Sequence, residues 1–369
     1  MRPFPASYEA QTETVVSGTT ATPSQIRVTL VKTEDGGRQR KAAGKSIRVR
    51  LVNTGTLTNS TNGTIALSAD VSQVTEVTAD KEYIVKELAA AYAAGTLTLT
   101  GVVKHGETVT IGSRIYQFVA GAAATGSNVG VDISGTTVAA AGTLTLDTQP
   151  TAGDTMSIGN KIYTFVALGT GDIDGEIALG ANLAATKPLV IAAINGTDAW
   201  NTANTLVSAA AFSGDDSVIT SRIEGTVGNA YTTTEAFTAG TNVFDATTLG
   251  TTTAGADCAA GAAITALVAA ITADTSAVVS AVDGAGDTVV VTSILVGVAG
   301  NAYASTTTMA NTSWGASKLT GGIDAPNGTM TFVVTNATAE TIDLIVSDDV
   351  SYDGIPFAHV RLPVTHGAP

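Results

Sequence analysis

The sequence predicts a mostly β protein, and three observations predict it: short β-branched runs, turn residues between them, and an internal repeat. Among 369 residues only two are Trp, eight Tyr and eight Phe, so large core side chains are few and Ala supplies much of the apolar content. Val, Ile and Thr runs separated by Gly, Asn and Asp are the pattern of strands joined by tight turns. The length suffices for two or three domains, each burying its own core.

The repeat decides the organisation. Residues 95–119 read GTLTLTGVVKHGETVTIGSRIYQFV and residues 142–166 read GTLTLDTQPTAGDTMSIGNKIYTFV, with 13 of 25 positions identical at a constant offset of 47. In each copy an alternating strand (Val109, Ile111; Met156, Ile158) meets Gly112-Ser113 or Gly159-Asn160. Gly followed by a small polar residue suits a two-residue primed hairpin turn. The return strand carries Tyr116 and Phe118, or Tyr163 and Phe165. Residues two apart on a strand share a face, so each Tyr–Phe pair is expected in the core.

A second repeat has a longer period. VIAAI at 190–194 and LVAAI at 267–271 each lead to Gly-Asn-Ala-Tyr, at 228–231 and 300–303. Ile264, Leu267, Val268 and Ile271 form one apolar stripe at helical spacing, which predicts a short helix. Pro188 is expected in the first turn of the earlier helix, where its missing N–H costs nothing. Strand-like runs follow at 278–282 and 288–294, joined by DGAGD, and the second unit ends in SWGASKLTGG at 313–322. The expected unit is hairpin, short helix, hairpin, then Gly-Asn-Ala-Tyr. Outside the repeats, 22–56 and 328–346 each read as two strands about a polar turn, whereas KEYIVKELAAAYAAG at 81–95 reads as helix. The linear partition is then an N-terminal docking region 1–94, a truncated hairpin repeat 95–152, repeat domains 153–240 and 241–325, and terminal strands 326–369. Those terminal strands either complete the N-terminal region, with the repeats inserted between, which is the favoured reading, or form a separate end domain.

Charge is uneven. The net charge is −14, from 18 basic and 32 acidic residues, which argues against general nucleic-acid binding. Residues 1–50 nevertheless carry nine bases and four acids, +5, leaving −19 for the rest. Arg27, Arg38, Arg40, Lys41, Lys45, Arg48 and Arg50 are the candidate docking residues, a basic base suited to an acidic surface. MRPFP followed by polar residues lacks the pattern of a secretion signal, and no window is long and apolar enough to predict a membrane span.

Reactive groups are sparse. The single Cys258 excludes an intrachain disulfide, and His105, His359 and His366 have no metal-ligand spacing. Neither a nucleophile elbow nor a phosphate-binding loop occurs. Asp172, Asp174 and Glu176 in GTGDIDGE alternate in a Gly-rich loop and form a weak calcium candidate, lacking the other ligands of a full binding loop. Asp215-Asp216 and Asp348-Asp349 read as turn formers, because adjacent residues on a strand face opposite ways. No catalytic residue and no cofactor are expected.

The pattern GDTMSIGNKIYTFV…VIAAING…GNAYTTT…SWGASKLTGG, over roughly residues 106–322, resembles a repeat of tailed-bacteriophage structural proteins: head-decoration, fibre and tail components. QIRVTLVKTEDGG…AAGKSIRVRL and GTMTFVVTNATAETIDLIVSDD resemble the early and the last two strands of invasin-type bacterial Ig-like domains. The resemblance implies Ig-like β-sandwich segments flanking small β-rich repeat domains. It implies a non-enzymatic capsid decoration or head-fibre protein, resident in the virion after assembly in the host cytoplasm. Phage capsid or tail proteins are the implied partners, with homo-oligomers expected and a host-surface glycan as a further candidate. Alternatives are a tail tube, neck or receptor-binding fibre protein and a bacterial surface adhesin. A polysaccharide depolymerase fits worst, since aromatic residues to stack on sugars are few.

Overall fold

The computed structural model describes residues 89–325 throughout. Before them it describes Thr19 and the strands Ser7–Val16, Ser24–Glu34, Arg38–Lys41, Ser46–Asn53, Gly63–Leu67, Gln73–Ala79 and Glu82–Glu87. After them it describes Thr329–Asn336, residues 338–348 and Val360–Thr365. The fold is mostly β, with two α-helices among the described residues. The chain forms two compact units: Met1–Ala93 with Leu295–Asn301 and Gly321–Pro369, and Ala94–Ile294 with Ala302–Thr320.

The first unit contains two five-stranded sheets, and strands from both ends of the chain enter each. Thr329–Asn336 lies between Ser24–Glu34 and Gly63–Leu67, antiparallel to both. Thr341–Asp348 lies between Ser46–Asn53 and Val360–Thr365, again antiparallel. Alternation sets the buried faces: Phe332 and Val334 are buried in one sheet, Ile342, Leu344 and Val346 in the other. Register puts Val49 opposite Val346 and Val364 opposite Ile342, extending the second buried face across neighbouring strands.

The helix expected over 81–95 does not form. Glu82–Glu87 is a strand paired on both sides, with Ser46–Asn53 and Gln73–Ala79, and Tyr92–Leu99 is another strand. Tyr83, Ile84 and Val85 suit a pleated surface, and pairing outweighs the helix preference of the surrounding Lys, Glu and Ala.

Residues 92–324 contain two copies of one module, each built from two four-stranded sheets and a helix. In one copy Lys161–Val166 pairs antiparallel with Thr155–Ile158 and parallel with Glu176–Ala178, and Thr233–Ala236 closes the sheet. Its other sheet runs Val207–Ala209, Asp216–Ser221, Ala141–Thr145, Val243–Phe244. The other copy repeats both orders. Val129–Asp132, Arg114–Val119, Thr108–Ile111 and Ser305–Thr307 form one sheet, and Val279–Asp283, Thr288–Val296, Tyr92–Leu99 and Thr312–Trp314 form the other. The helices are α1 (Leu183–Asn195) and α2 (Ala260–Ala273).

The copies are nested, which corrects the linear partition at 152/153 and 240/241. Residues 95–152 are not a truncated repeat. The hairpin Thr108–Val119 obtains one edge strand from Val129–Asp132 and the other from Ser305–Thr307, nearly two hundred residues later. The whole inner copy, residues 138–257, lies between the halves of the outer one. Its entry and exit are neighbours, bridged at Val138↔Ala256 and Ala141↔Thr253. A module whose ends meet interrupts its host at a single point, so the host's sheets still close.

Packing follows the sequence pattern. Tyr116, Phe118, Tyr163 and Phe165 are fully buried, and Phe165 meets Phe237 with ring centroids 5.7 Å apart. Gly112 and Gly159 have φ of 61° and 62° at the hairpin turns, the left-handed conformation the turn requires. α2 buries Ala263, Ile264, Leu267 and Ile271, with Val268 half-buried beside them. α1 starts earlier than expected. Asn182 caps it, its side chain accepting the Ala185 N–H at 3.0 Å, so Pro188 lies inside the helix rather than in its first turn.

Candidate functional site

The basic candidates lie on both sheets of the first unit. Arg27 is exposed on Ser24–Glu34, Arg38, Arg40 and Lys41 occupy the short strand paired to it, and Arg48 and Arg50 flank buried Val49 on the other sheet. Lys45 lies outside the described residues. Register sets Arg27 opposite Glu13, Arg38 opposite Glu34 and Arg50 opposite Glu82.

The calcium candidates do not converge. Asp174 Oδ1 accepts from Lys161 Nζ at 2.7 Å, from the Thr202 N–H at 2.8 Å and from its hydroxyl at 3.1 Å. The Lys161 ammonium and these donors hold the Asp174 carboxyl below its ordinary range. Glu176 Oε2 turns back to the Asp172 N–H, 3.2 Å away. Among the described residues no group of three or more His, Cys, Asp or Glu side chains is disposed to hold a metal ion. The loop is a hydrogen-bonded connection with acidic members.

The other titratable candidates are also engaged. His105 Nδ1 accepts the Ala120 N–H at 3.1 Å, and burial lowers its pKa, both consistent with a neutral ring. His359 and His366 lie outside the described residues. Cys258 is buried and burial pushes its thiol up, with Thr136 as hydrogen-bonding neighbour. Asp215 pairs with Lys187 at 2.7 Å and Asp216 accepts from the Thr145 hydroxyl at 2.6 Å. Asp348 ends a strand opposite Ile47, and Asp349 lies outside the described residues.

Two constellations escaped the sequence reading. The first ties each buried Tyr to the segment after its helix. In the outer copy Arg114 grips Asp274 with Nε and one terminal nitrogen at 2.8 and 2.7 Å, and the Tyr116 hydroxyl donates to the same carboxylate at 3.1 Å. Burial pushes the Asp274 carboxyl up, but the Ser276 N–H, Arg114 and Tyr116 outweigh it and hold the group below its ordinary range. In the inner copy Asn204 donates to the Tyr163 hydroxyl at 3.3 Å. Burial, foremost, pushes both phenols up to about 12.

The second constellation explains Gly-Asn-Ala-Tyr. Asn229 holds the backbone of Gly255, donating to its carbonyl at 3.1 Å and accepting its N–H at 2.8 Å. Asn301 does the same to Gly322, at 3.0 and 2.9 Å. Two residues beyond each glycine an aspartate caps the 3-10 turn: Asp257 accepts the Thr226 N–H and Asp324 the Val298 N–H, each at 2.8 Å. Gly225 precedes the turn with φ of 107°, and a Cβ there would come within 2.6 Å of Asp257 Oδ1. The signal was present as Thr-x-Gly-x-Asp at 253–257 and 320–324, where each copy closes. The motif is thus a structural lock, with every polar atom named here satisfied from within.

Compared with known protein families, with curated proteins and with solved structures, the chain matches none.

Proposed function

We propose that this chain is a non-enzymatic structural component of a bacteriophage particle, decorating the capsid or projecting from it as a head fibre. The observation that carries the reading is the nested duplication of one small β module, each copy closed by the same Asn–Gly lock. Duplication of this kind adds folded surface without adding a reacting centre. The side chains with chemical potential, among them Asp174, Asp257 and Asp274, are engaged in structural hydrogen bonds.

One feature suits assembly. The first unit, read as an Ig-like sandwich, carries the basic residues of 1–50, which suit docking to an acidic particle surface. Capsid or tail proteins are the proposed partners, within a symmetric oligomer.

The test is composition and position. Virions made by a host carrying this gene are purified, searched for the chain by mass spectrometry and imaged at high resolution. Density on capsid facets or at capsomer junctions supports decoration. Density along the tail reassigns the chain to a tail component, and absence from the particle overturns the reading in favour of a surface adhesin.

A further inference from the structure

The inner copy has a feature that its twin has not kept in sequence. A groove of about 600 Å³ runs along α1, lined mainly by Leu183, Lys187, Pro188, Ile191 and Phe212. That volume is within the roughly 300–1,000 Å³ of ordinary ligand pockets. The Lys187 ammonium sits 5.4 Å from the centre of the Phe212 ring, held by the Gly214 carbonyl and Asp215, each at 2.7 Å. Its charge is therefore spent on the wall, as is that of its partner Asp215, and exposed Asp216 stands beside them at the rim.

The outer copy serves as an internal control. Val207-Ser208-Ala209 aligns with Val279-Ser280-Ala281, and Gly214 with Gly286, at φ of 67° and 70°. The carbonyls of Asp215 and Asp287 accept from Leu146 and Leu99, each at 2.8 Å. Yet Leu183, Lys187, Pro188 and Phe212 correspond to Ala260, Ile264, Thr265 and Gly284. The scaffold is held constant while the groove residues differ.

Charge narrows the occupant. Residues 138–257 carry twelve acids and three bases, −9 of the chain's −14. All three bases are bonded internally: Lys161 to Asp174, Lys187 to Asp215, and Arg222 to the Asn204 carbonyl at 2.8 Å. An occupant should be apolar, aromatic and cationic.

We propose that the groove receives residues 1–6, Met-Arg-Pro-Phe-Pro-Ala, of a second copy of this chain. Phe4 between two prolines is biased toward an extended polyproline conformation, so little freedom is lost on docking. Such segments bind grooves with apolar and aromatic walls. Arg2 supplies a charge that exposed Asp216 and the net −9 of residues 138–257 complement. The contact joins unlike surfaces, so it propagates from copy to copy into a ring or an open row. It does not depend on where the assembly works.

The test combines sedimentation of the full chain with titration of a synthetic peptide of residues 1–8 into a chain lacking residues 1–6. The intact chain is expected to self-associate reversibly, and the shortened chain to remain monomeric and bind the peptide. Phe212→Gly and Pro188→Thr import residues the outer copy carries at the same places, so folding, checked by thermal melting, is expected to survive. Each is expected to weaken both association and peptide binding about tenfold or more. The proposal is overturned by an intact chain that stays monomeric, including one whose peptide binds only within its own chain. Equal association after loss of residues 1–6 overturns it, as does peptide binding unaffected by Phe212→Gly in a folded variant.

Discussion

Asn229 and Gly255 are joined by two hydrogen bonds, the amide side chain donating to the glycine carbonyl at 3.1 Å and accepting its N–H at 2.8 Å. Gly255 is buried, so no water replaces the amide if it is lost. Asn229→Ala leaves a donor and an acceptor unsatisfied and is expected to destabilise the module by about 1–3 kcal/mol. Asn229→Asp removes only the donor and should cost the chain stability as well. Denaturant unfolding of both variants checks this, and an unchanged midpoint contradicts the lock.

Acid and alkali should act on different groups. Asp274 is held below its ordinary range, so its contribution is present above the unfolded value of about 3.9 and is lost as pH falls through the folded value. Asp274→Asn should flatten the acid limb of a stability–pH curve. Tyr116 and Tyr163 are pushed up to about 12, so their contribution is present below about 10 and is lost as pH rises through about 12. Absorbance titration should show at least two of the eight tyrosines ionising only as the fold is lost. Ionisation of all eight near pH 10 with the fold intact contradicts the burial described.

Calcium is expected to leave the melting temperature unchanged. Asp174 already accepts from Lys161 and Thr202, and the carboxylates of Asp172, Asp174 and Glu176 share no focus. Melting with excess calcium and with chelator compares the states, and a rise of several degrees with calcium reverses the conclusion.

Local structure was legible in the sequence where the signal was local. The hairpin turns at Gly112 and Gly159, the buried Tyr–Phe pairs and the stripe of α2 follow from alternation, turn chemistry and helical period. Signals that depended on distant partners were not legible. The strand Glu82–Glu87 is held from both sides by strands remote in sequence, which propensity cannot express. The true start of α1 turned on Asn182, a cap that a search centred on Pro188 passes over. Nesting was hidden because a constant offset within each half suggests tandem copies, while Ser305–Thr307 returns to Thr108–Ile111 across the inserted module. At the candidate site the acidic loop was found but its convergence was not testable, and the Asn–Gly lock was visible only as two unmatched motifs.

The central structural claim is that residues 138–257 form a self-contained module inserted at one point of its twin, entering and leaving at Val138↔Ala256. Its core includes Leu144, Met156, Tyr163, Phe165, Val190, Ile194 and Ile219, all supplied from within that span. The most direct measurement is the unfolding of two proteins: residues 138–257 alone, and the chain with that span replaced by a short Gly-Ser linker. Cooperative unfolding of both is the predicted result. A fragment with no unfolding transition, beside a deletion variant that also fails to fold, contradicts nesting and restores a single interdependent domain.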